Sequence, residues 1–290
     1  LPFINGWICI CAQEQNPKSF TGIKKIIMTT VPSSLALPLQ SKPRKTGRTS
    51  IIDYGPDNMG WTGENGVADL ISCAGNYIDF AKIYAFNSLL IPSATLKRII
   101  ALYNNADIVC YSGGILFEYA HLKHDVAGML KLLTDLGFKA MEISENYVSL
   151  TADERNRYFD QCQKAGISVI YEFGRKNPET EISLEELEAL IKTVLNQGIE
   201  HIILEESEIT MTAKKNPNVL KELAKKEWFK EIFVEADPFR FPQNHLSLFQ
   251  DFGSQVNLAN IAPGQALRLE GYRQGIGRAV DYSIFKQFGM

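Results

Sequence analysis

The chain predicts a single-domain α/β protein folded as a (β/α)8 (TIM) barrel. Three observations carry that reading. Eight short, mostly apolar runs recur along the sequence, amphipathic segments of similar length separate them, and six of the runs place an acid or amide at the carboxyl end. The runs are continuously apolar rather than alternating, as in a parallel sheet covered by helices on its outer side. At 290 residues, closure into a barrel is favoured over an open doubly wound sheet, because no GxGxxG follows the first strand.

Residues 1–40 are expected to form a peripheral extension, poorly packed or not native to the protein, with the barrel over 41–290. Met28 offers a start, and the apolar opening 1–11 lacks the basic flank of a signal peptide. Residues 49–54 read as the first strand, followed by a glycine-rich loop (Gly55, Gly60, Gly63, Gly66) and a helix near 67–74. Residues 77–83 read as the second strand, apolar but for Asp79 and Lys82. Ser93 is expected to cap a helix over 94–104. Residues 107–111 read as the third strand, ending at Gly113-Gly114. Met129, Leu130, Leu133 and Leu136 share one face of a helix over 126–136, which Gly137 stops. After a fourth strand at 139–143, Thr151-Ala152-Asp153-Glu154 is a capping box opening a helix that ends before Gly166. Residues 167–173 read as strand five. Ser183-Leu184-Glu185-Glu186 repeats the capping signature, and Gly198 closes that helix. Residues 199–205, 231–235 and 255–259 complete eight strands, and a last helix begins over 263–271.

Composition narrows the function. With 45% hydrophobic residues and a net charge of −3, the chain has enough apolar mass for one large α/β domain. A pI near 5.9 gives no electrostatic footprint for nucleic acid or a membrane surface. No apolar run approaches the roughly 20 residues of a membrane span. The five cysteines (Cys9, Cys11, Cys73, Cys110, Cys162) are odd in number, scattered and without a CxxC pair. They read as reduced, mostly buried thiols in a reducing compartment, here the cytoplasm. Small anionic substrates are the expected partners, and barrels of this size commonly form homo-oligomers.

In a closed parallel barrel all strand carboxyl ends open at one mouth, so Asp53, Glu142, Glu172, Glu205, Glu235 and Asn260 would converge there. Any one of these acids reads equally well as a helix cap or an ion-pair partner. Five on five strands read as a site. Converging carboxylates raise one another's pKa unless a cation sits among them, and oxygen-only ligands suit Mg²⁺ better than Zn²⁺. Glu142, Glu172 and Glu205, on successive strands, are the expected metal ligands. Lys82 lies inside an apolar strand, where an unpaired ammonium is costly, and its spacing from Asp79 puts the two on opposite faces. It is expected to face the mouth and bind an anion or carry protons; the bland alternative is a stem that snorkels to the rim. Arg175 and Lys176 follow strand five and suit a phosphate or carboxylate, against the alternative of a solvated basic loop. His121 and His124 have i, i+3 spacing but no third ligand, so they read as a surface pair. His201 begins a strand, at the end opposite the mouth. No GxSxG, HExxH or Walker A sequence occurs, which disfavours a serine or cysteine hydrolase.

Gly75-Asn76-Tyr77-Ile78-Asp79-Phe80-Ala81-Lys82, Gly113-Gly114-Ile115-Leu116-Phe117-Glu118-Tyr119-Ala120 and Leu136-Gly137-Phe138-Lys139-Ala140-Met141-Glu142-Ile143-Ser144 occur in order. With Glu172-Phe173-Gly174-Arg175-Lys176 and the run Phe252 to Ile261, they resemble the phosphosulfolactate synthase family, (β/α)8 enzymes of coenzyme M biosynthesis, over about residues 42–277. The resemblance implies a lyase that uses Mg²⁺ to add sulfite to phosphoenolpyruvate, giving 2-phospho-3-sulfolactate. It implies Lys176 as general acid, Glu142 as a second catalytic residue, and substrate contacts from Lys82, Glu118, Ser144, Arg175, Asn257 and Asn260. The chain also departs from the family. Tyr84-Ala85-Phe86-Asn87-Ser88 stands where the family has Gly-Trp-Gly-Thr-Ser, and Gly113-Gly114-Ile115 lacks the hydroxyl of Gly-Gly-Thr. Glu205-Glu206-Ser207-Glu208-Ile209 puts serine in the place of an anion-binding arginine, and Arg273-Gln274-Gly275-Ile276-Gly277-Arg278 is a thinner version of a basic terminal pattern. A plant heat-stress-associated protein is similar to the same family, so the resemblance also admits a non-catalytic, stress-associated role. The altered anion loops favour that role; the retained Glu142, Glu172, Glu205 and Lys176 favour an enzyme.

Overall fold

A computed structural model describes residues 31–174, 183–199 and 201–289. The chain divides into two compact units, Leu1–Leu37 and Pro38–Met290. In the first, the described part holds one 3-10 turn, Ser33–Leu35.

The second unit is a closed, all-parallel barrel of eight strands: β1 (Thr49–Asp53), β2 (Phe80–Ile83), β3 (Val109–Ser112), β4 (Ala140–Ile143), β5 (Ser168–Phe173), β6 (His201–Leu204), β7 (Ile232–Glu235) and β8 (Asn257–Ile261). Each strand pairs with its neighbours in sequence, and β8 returns to β1. Side chains on a strand alternate between faces, so each apolar run splits into two cores. Phe80, Tyr111, Ala140, Ile170, Ile203, Phe233 and Ala259 fill the barrel. Their neighbours Ala81, Cys110, Met141, Tyr171, Ile202, Leu204, Val234 and Leu258 face the helices. This is why the runs read as continuously apolar.

Outside lie α1 (Glu64–Ala74), α2 (Ser93–Asn105), α3 (Gly114–Leu122), α4 (Val126–Leu136), α5 (Ala152–Lys164), α6 (Leu184–Asn196), α7 (Glu206–Lys215), α8 (Pro217–Ala224), α9 (Gln243–Phe252) and α10 (Ala266–Arg273). Helix α4 buries Val126, Met129, Leu130, Leu133 and Leu136, and Gly137 ends it at φ 91°, a left-handed turn that glycine adopts without cost. The Thr151–Glu154 capping box opens α5 as expected. Ser93 does not cap α2: it is the first helical residue, and the Pro92 carbonyl accepts the N–H of Leu96 at 3.0 Å.

Several elements differ from the sequence reading. The glycine-rich loop folds a small antiparallel hairpin, Pro56–Asp57 with Gly60–Trp61. Residues 75–77 form a 3-10 turn before β2 begins at Phe80. Helix α3 carries little amphipathic pattern because it is apolar nearly all round, with Leu116, Phe117 and Ala120 buried and Tyr119 and Leu122 exposed. Helices α7 and α8 follow strand six and α9 follows strand seven, and the sequence reading names none of the three. Among the described cysteines, Cys110 and Cys162 are buried free thiols and Cys73 is exposed. No helix among the described residues is long and apolar enough to cross a membrane.

Candidate active site

Strand parity decides which polar groups reach the mouth. Phe80, Ala140, Ile170, Ile203 and Phe233 point into the barrel, so Lys82, Glu142, Glu172, Glu205 and Glu235, each two residues further on, share that face one layer nearer the carboxyl ends. All five are buried. Asp53 has the opposite parity. Its carboxylate accepts hydrogen bonds from Gly55 N, the Thr62 hydroxyl and Tyr103 Oη, tying β1 to the hairpin and α2. Burial raises its pKa, but the group is structural.

Lys82 Nζ lies 2.9 Å from Glu142 Oε2 and 3.8 Å from Glu172 Oε2. Burial opposes its charge, yet Glu142, Tyr111, Glu172 and Glu235 together raise its pKa well above the ordinary lysine value. Lys82 is therefore an ammonium at neutral pH, and it reaches into the barrel rather than to the rim. Asp79 is occupied elsewhere, in a 2.6 Å ion pair with Arg44, as its parity requires. The other Glu142 oxygen accepts the N–H of Gly114 at 2.8 Å. A Cβ on Gly114 would come within 2.3 Å of Ser144 Oγ and 3.0 Å of Glu142 Oε1, so the close approach of α3 to β4 requires glycine there.

Glu172, Glu205 and Glu235 each offer an oxygen lying within 4.8 Å of the other two. Burial, with Glu142 and Glu235 adding to it, pushes the Glu172 carboxyl up to about 8 even though Lys82 and Asn146 oppose the shift. Carboxyl groups held this close could share a metal ion, which would favour their charged forms. Octahedral Mg²⁺, with bonds of about 2.1 Å, spaces its ligand oxygens by roughly 3 to 4 Å, so a small contraction of this all-carboxylate set would fit it. The trio expected from sequence, Glu142 with Glu172 and Glu205, is thus redrawn: Glu235 joins the cluster, and Glu142 is held by Lys82 and Gly114.

The remaining expected residues lie in different places. Asn260 lies at the mouth at φ 58°, its side-chain amide donating to Glu235 Oε1. Asn257 is at the other end of β8, where its amide donates to the carbonyls of Lys230 and Ile232 and accepts the N–H of Arg48, bracing the amino-terminal end of the barrel away from the clustered acids. Glu118 and Ser144 bond to each other, and Glu118 also accepts the N–H groups of Asn146 and Tyr147. These two side chains hold the loop after β4. Arg175 and Lys176 lie outside the described residues. His121 bonds Tyr158 Oη at 2.8 Å, and His201 packs edge-on to Phe80 at the amino-terminal end of the barrel.

Sequence reasoning missed Asn146, whose amide donates to Glu172 Oε1 at 2.7 Å. An amide three residues past a strand end was the available signal. It also missed how Ser207 is used: the serine donates to Glu205 Oε1 at 3.1 Å, within the acid cluster. A cavity of about 580 Å³ opens at the opposite end of the barrel, lined by Ser168, Gln197 and His201 among others, and contains none of the clustered acids.

A (β/α)8 barrel with buried acids and a lysine clustered at the carboxyl-end mouth has the layout of an enzyme of small-molecule chemistry. The family model for (2R)-phospho-3-sulfolactate synthase (ComA) matches residues 38–278, and the chain belongs to that family. It is 32% identical to the phosphosulfolactate synthase of Methanocaldococcus jannaschii over 219 residues, 72% of this chain and 86% of that protein. It is 30% identical to the one from Methanothermobacter thermautotrophicus, over 83% of this chain and 94% of that protein, and 30% to the one from Bacillus subtilis, over 84% and 96%. Among solved structures it is similar to the dihydrodipicolinate synthase of Agrobacterium tumefaciens, at 15% identity, a TM-score of 0.47 and 84% of each chain covered.

Proposed function

We propose that this chain is a Mg²⁺-dependent lyase working through an enolate-type step on a small carboxylate, with the addition of sulfite to phosphoenolpyruvate as the leading reaction. The observation that carries the reading is the Glu172–Glu205–Glu235 cluster beside the Lys82 ammonium at the mouth of a barrel of this family. Mg²⁺ bound by those three residues would supply charge stabilisation for the substrate carboxylate. Lys82 keeps a fixed positive charge on the floor of the site and favours an anionic group above it. Glu142, anchored at one oxygen by Gly114 and at the other by Lys82, fixes the position of that ammonium. Asn146 and Asn260 orient Glu172 and Glu235 by donating to them.

In the leading reaction the sulfur lone pair of sulfite forms a bond to C3, the C2=C3 π pair moves onto the carboxylate, and a proton arrives at C2. Lys176, with Arg175 beside it to hold a phosphate, is the proposed proton donor on the strength of the family resemblance. Turnover of phosphoenolpyruvate with sulfite and Mg²⁺, followed by mass spectrometry, tests the proposal. Product that disappears in Lys176→Ala and in Glu172→Gln is the expected result. Absence of product from folded protein that binds Mg²⁺ would remove this substrate pair.

A further inference from the structure

The inward-facing rows of β1 and β2 do not stop at Ile52 and Lys82. Two residues further on stand Tyr54 and Tyr84, and the ladder continues to that point, since Tyr84 N donates to Asp53 O at 3.0 Å. Their rings lie 4.6 Å apart, and Phe239, from the loop after β7, lies 6.2 Å from Tyr54. Tyr84 is 44% exposed and Phe239 74% exposed. Three aromatic rings thus stand together above the charged floor.

The wall is held in place from both sides. The Asn87 amide donates to Tyr54 O at 2.9 Å and so staples the two tyrosine loops. Ala85, between Tyr84 and Phe86, sits at φ 37°, a left-handed conformation that glycine would adopt more cheaply. Phe239 N is held by Asp237 Oδ1 at 2.9 Å, and Gln265 donates to Pro238 O at 2.8 Å. Exposed aromatic faces fixed by backbone bonds beside a buried charge are suited to a ligand with one anionic end and one flat apolar end.

We propose that the mouth also takes, beyond the small carboxylate of the leading reaction, a carboxylate carrying a planar apolar group, such as an aryl 2-oxo acid, with Tyr54, Tyr84 and Phe239 holding that group. The inference rests on the proposed function for the placement of the carboxylate end.

Two probes matched except for the ring, phenylpyruvate and pyruvate, separate the two ideas when titrated calorimetrically into the full chain with Mg²⁺. Wild-type protein is expected to bind phenylpyruvate about tenfold or more tightly than pyruvate, the factor that partial burial of a phenyl ring supplies. That ratio is expected to fall severalfold in Tyr84→Ala and in Phe239→Ala, two variants at exposed loop positions. Equal affinity for the two probes in wild type, or a ratio unchanged in both variants, would overturn the proposal. Glu172→Gln reports on the underlying reading alone. If it weakens neither probe while the ring preference persists, the carboxylate placement fails and the aromatic wall stands.

Discussion

Replacing Lys82 by Met removes the ammonium and keeps most of the stem volume. At separations of 2.9 and 3.8 Å and an effective dielectric near 20, its attractions to Glu142 and Glu172 are about 6 and about 4 kcal/mol. That sum overstates the loss, because the site can neutralise itself. In Mg²⁺-free protein at pH 7, Glu172, pushed up to about 8 by burial and its acidic neighbours, already carries a proton. Removing Lys82 then obliges one more buried glutamate to take one up. At roughly 1.4 kcal/mol per pH unit, protonating a group whose unfolded-chain pKa is about 4.3 costs about 4 kcal/mol at pH 7 and about 1 kcal/mol at pH 5. The first figure agrees with the 3–5 kcal/mol typical of breaking one side of a buried ion pair. Urea denaturation of wild type and Lys82→Met at both pH values, in chelator-treated buffer, measures the difference directly. A cost of similar size at pH 5 and pH 7 would refute the reasoning, since a packing defect does not depend on pH and an orphaned carboxylate does.

Three further outcomes follow from the same geometry. Mg²⁺ at a hundred times its dissociation constant should stabilise the protein by about 2.7 kcal/mol; Glu235→Gln should lose most of that gain and Glu142→Gln keep it, and the reverse order would restore the trio first read from the sequence. Glu118→Gln should cost about 1–3 kcal/mol in urea denaturation, because the acceptor shared by Ser144, Asn146 and Tyr147 loses its charge; unchanged amide exchange at Asn146 and Tyr147 would count against it. His201 and His245 are both pushed down to about 4, chiefly by burial and secondly by Arg48 and Arg273 respectively. The unfolded chain takes up their protons first, so stability present above about pH 6.5 is lost as pH falls toward 4, by up to about 3 kcal/mol per histidine. A His245→Gln variant should show a flatter acid limb in urea midpoints measured between pH 7 and pH 4.5, and an unchanged limb would exclude His245 as a contributor.

How much of this was legible in the sequence depends on which periodicity each residue obeys. Barrel strands are buried on both faces, so hydrophobicity located all eight of them but did not say which residues face inward. That choice is a matter of parity, fixed by where each strand starts, and starts are where the reading was least exact: β2 begins at Phe80, three residues after the apolar run does. Glu142, Glu172, Glu205 and Glu235 could still be grouped because each lies two residues beyond a residue that fills the barrel. Asp53 looked equivalent and is not, being one residue out of phase and bonded to Thr62 and Tyr103. Asn257 and Asn260 lie three residues apart on one strand, which puts them on opposite ends of the barrel as well as in different phase. What the sequence could not supply was the division of labour among the acids. Lys82 is nearer to Glu142 than to Glu172 by 0.9 Å (3.8 less 2.9), so its strongest ion pair is on the Glu142 side of the mouth. The Glu172, Glu205 and Glu235 oxygens are the ones close enough together to hold a metal ion, a grouping that needed the distances and not the strand ends alone.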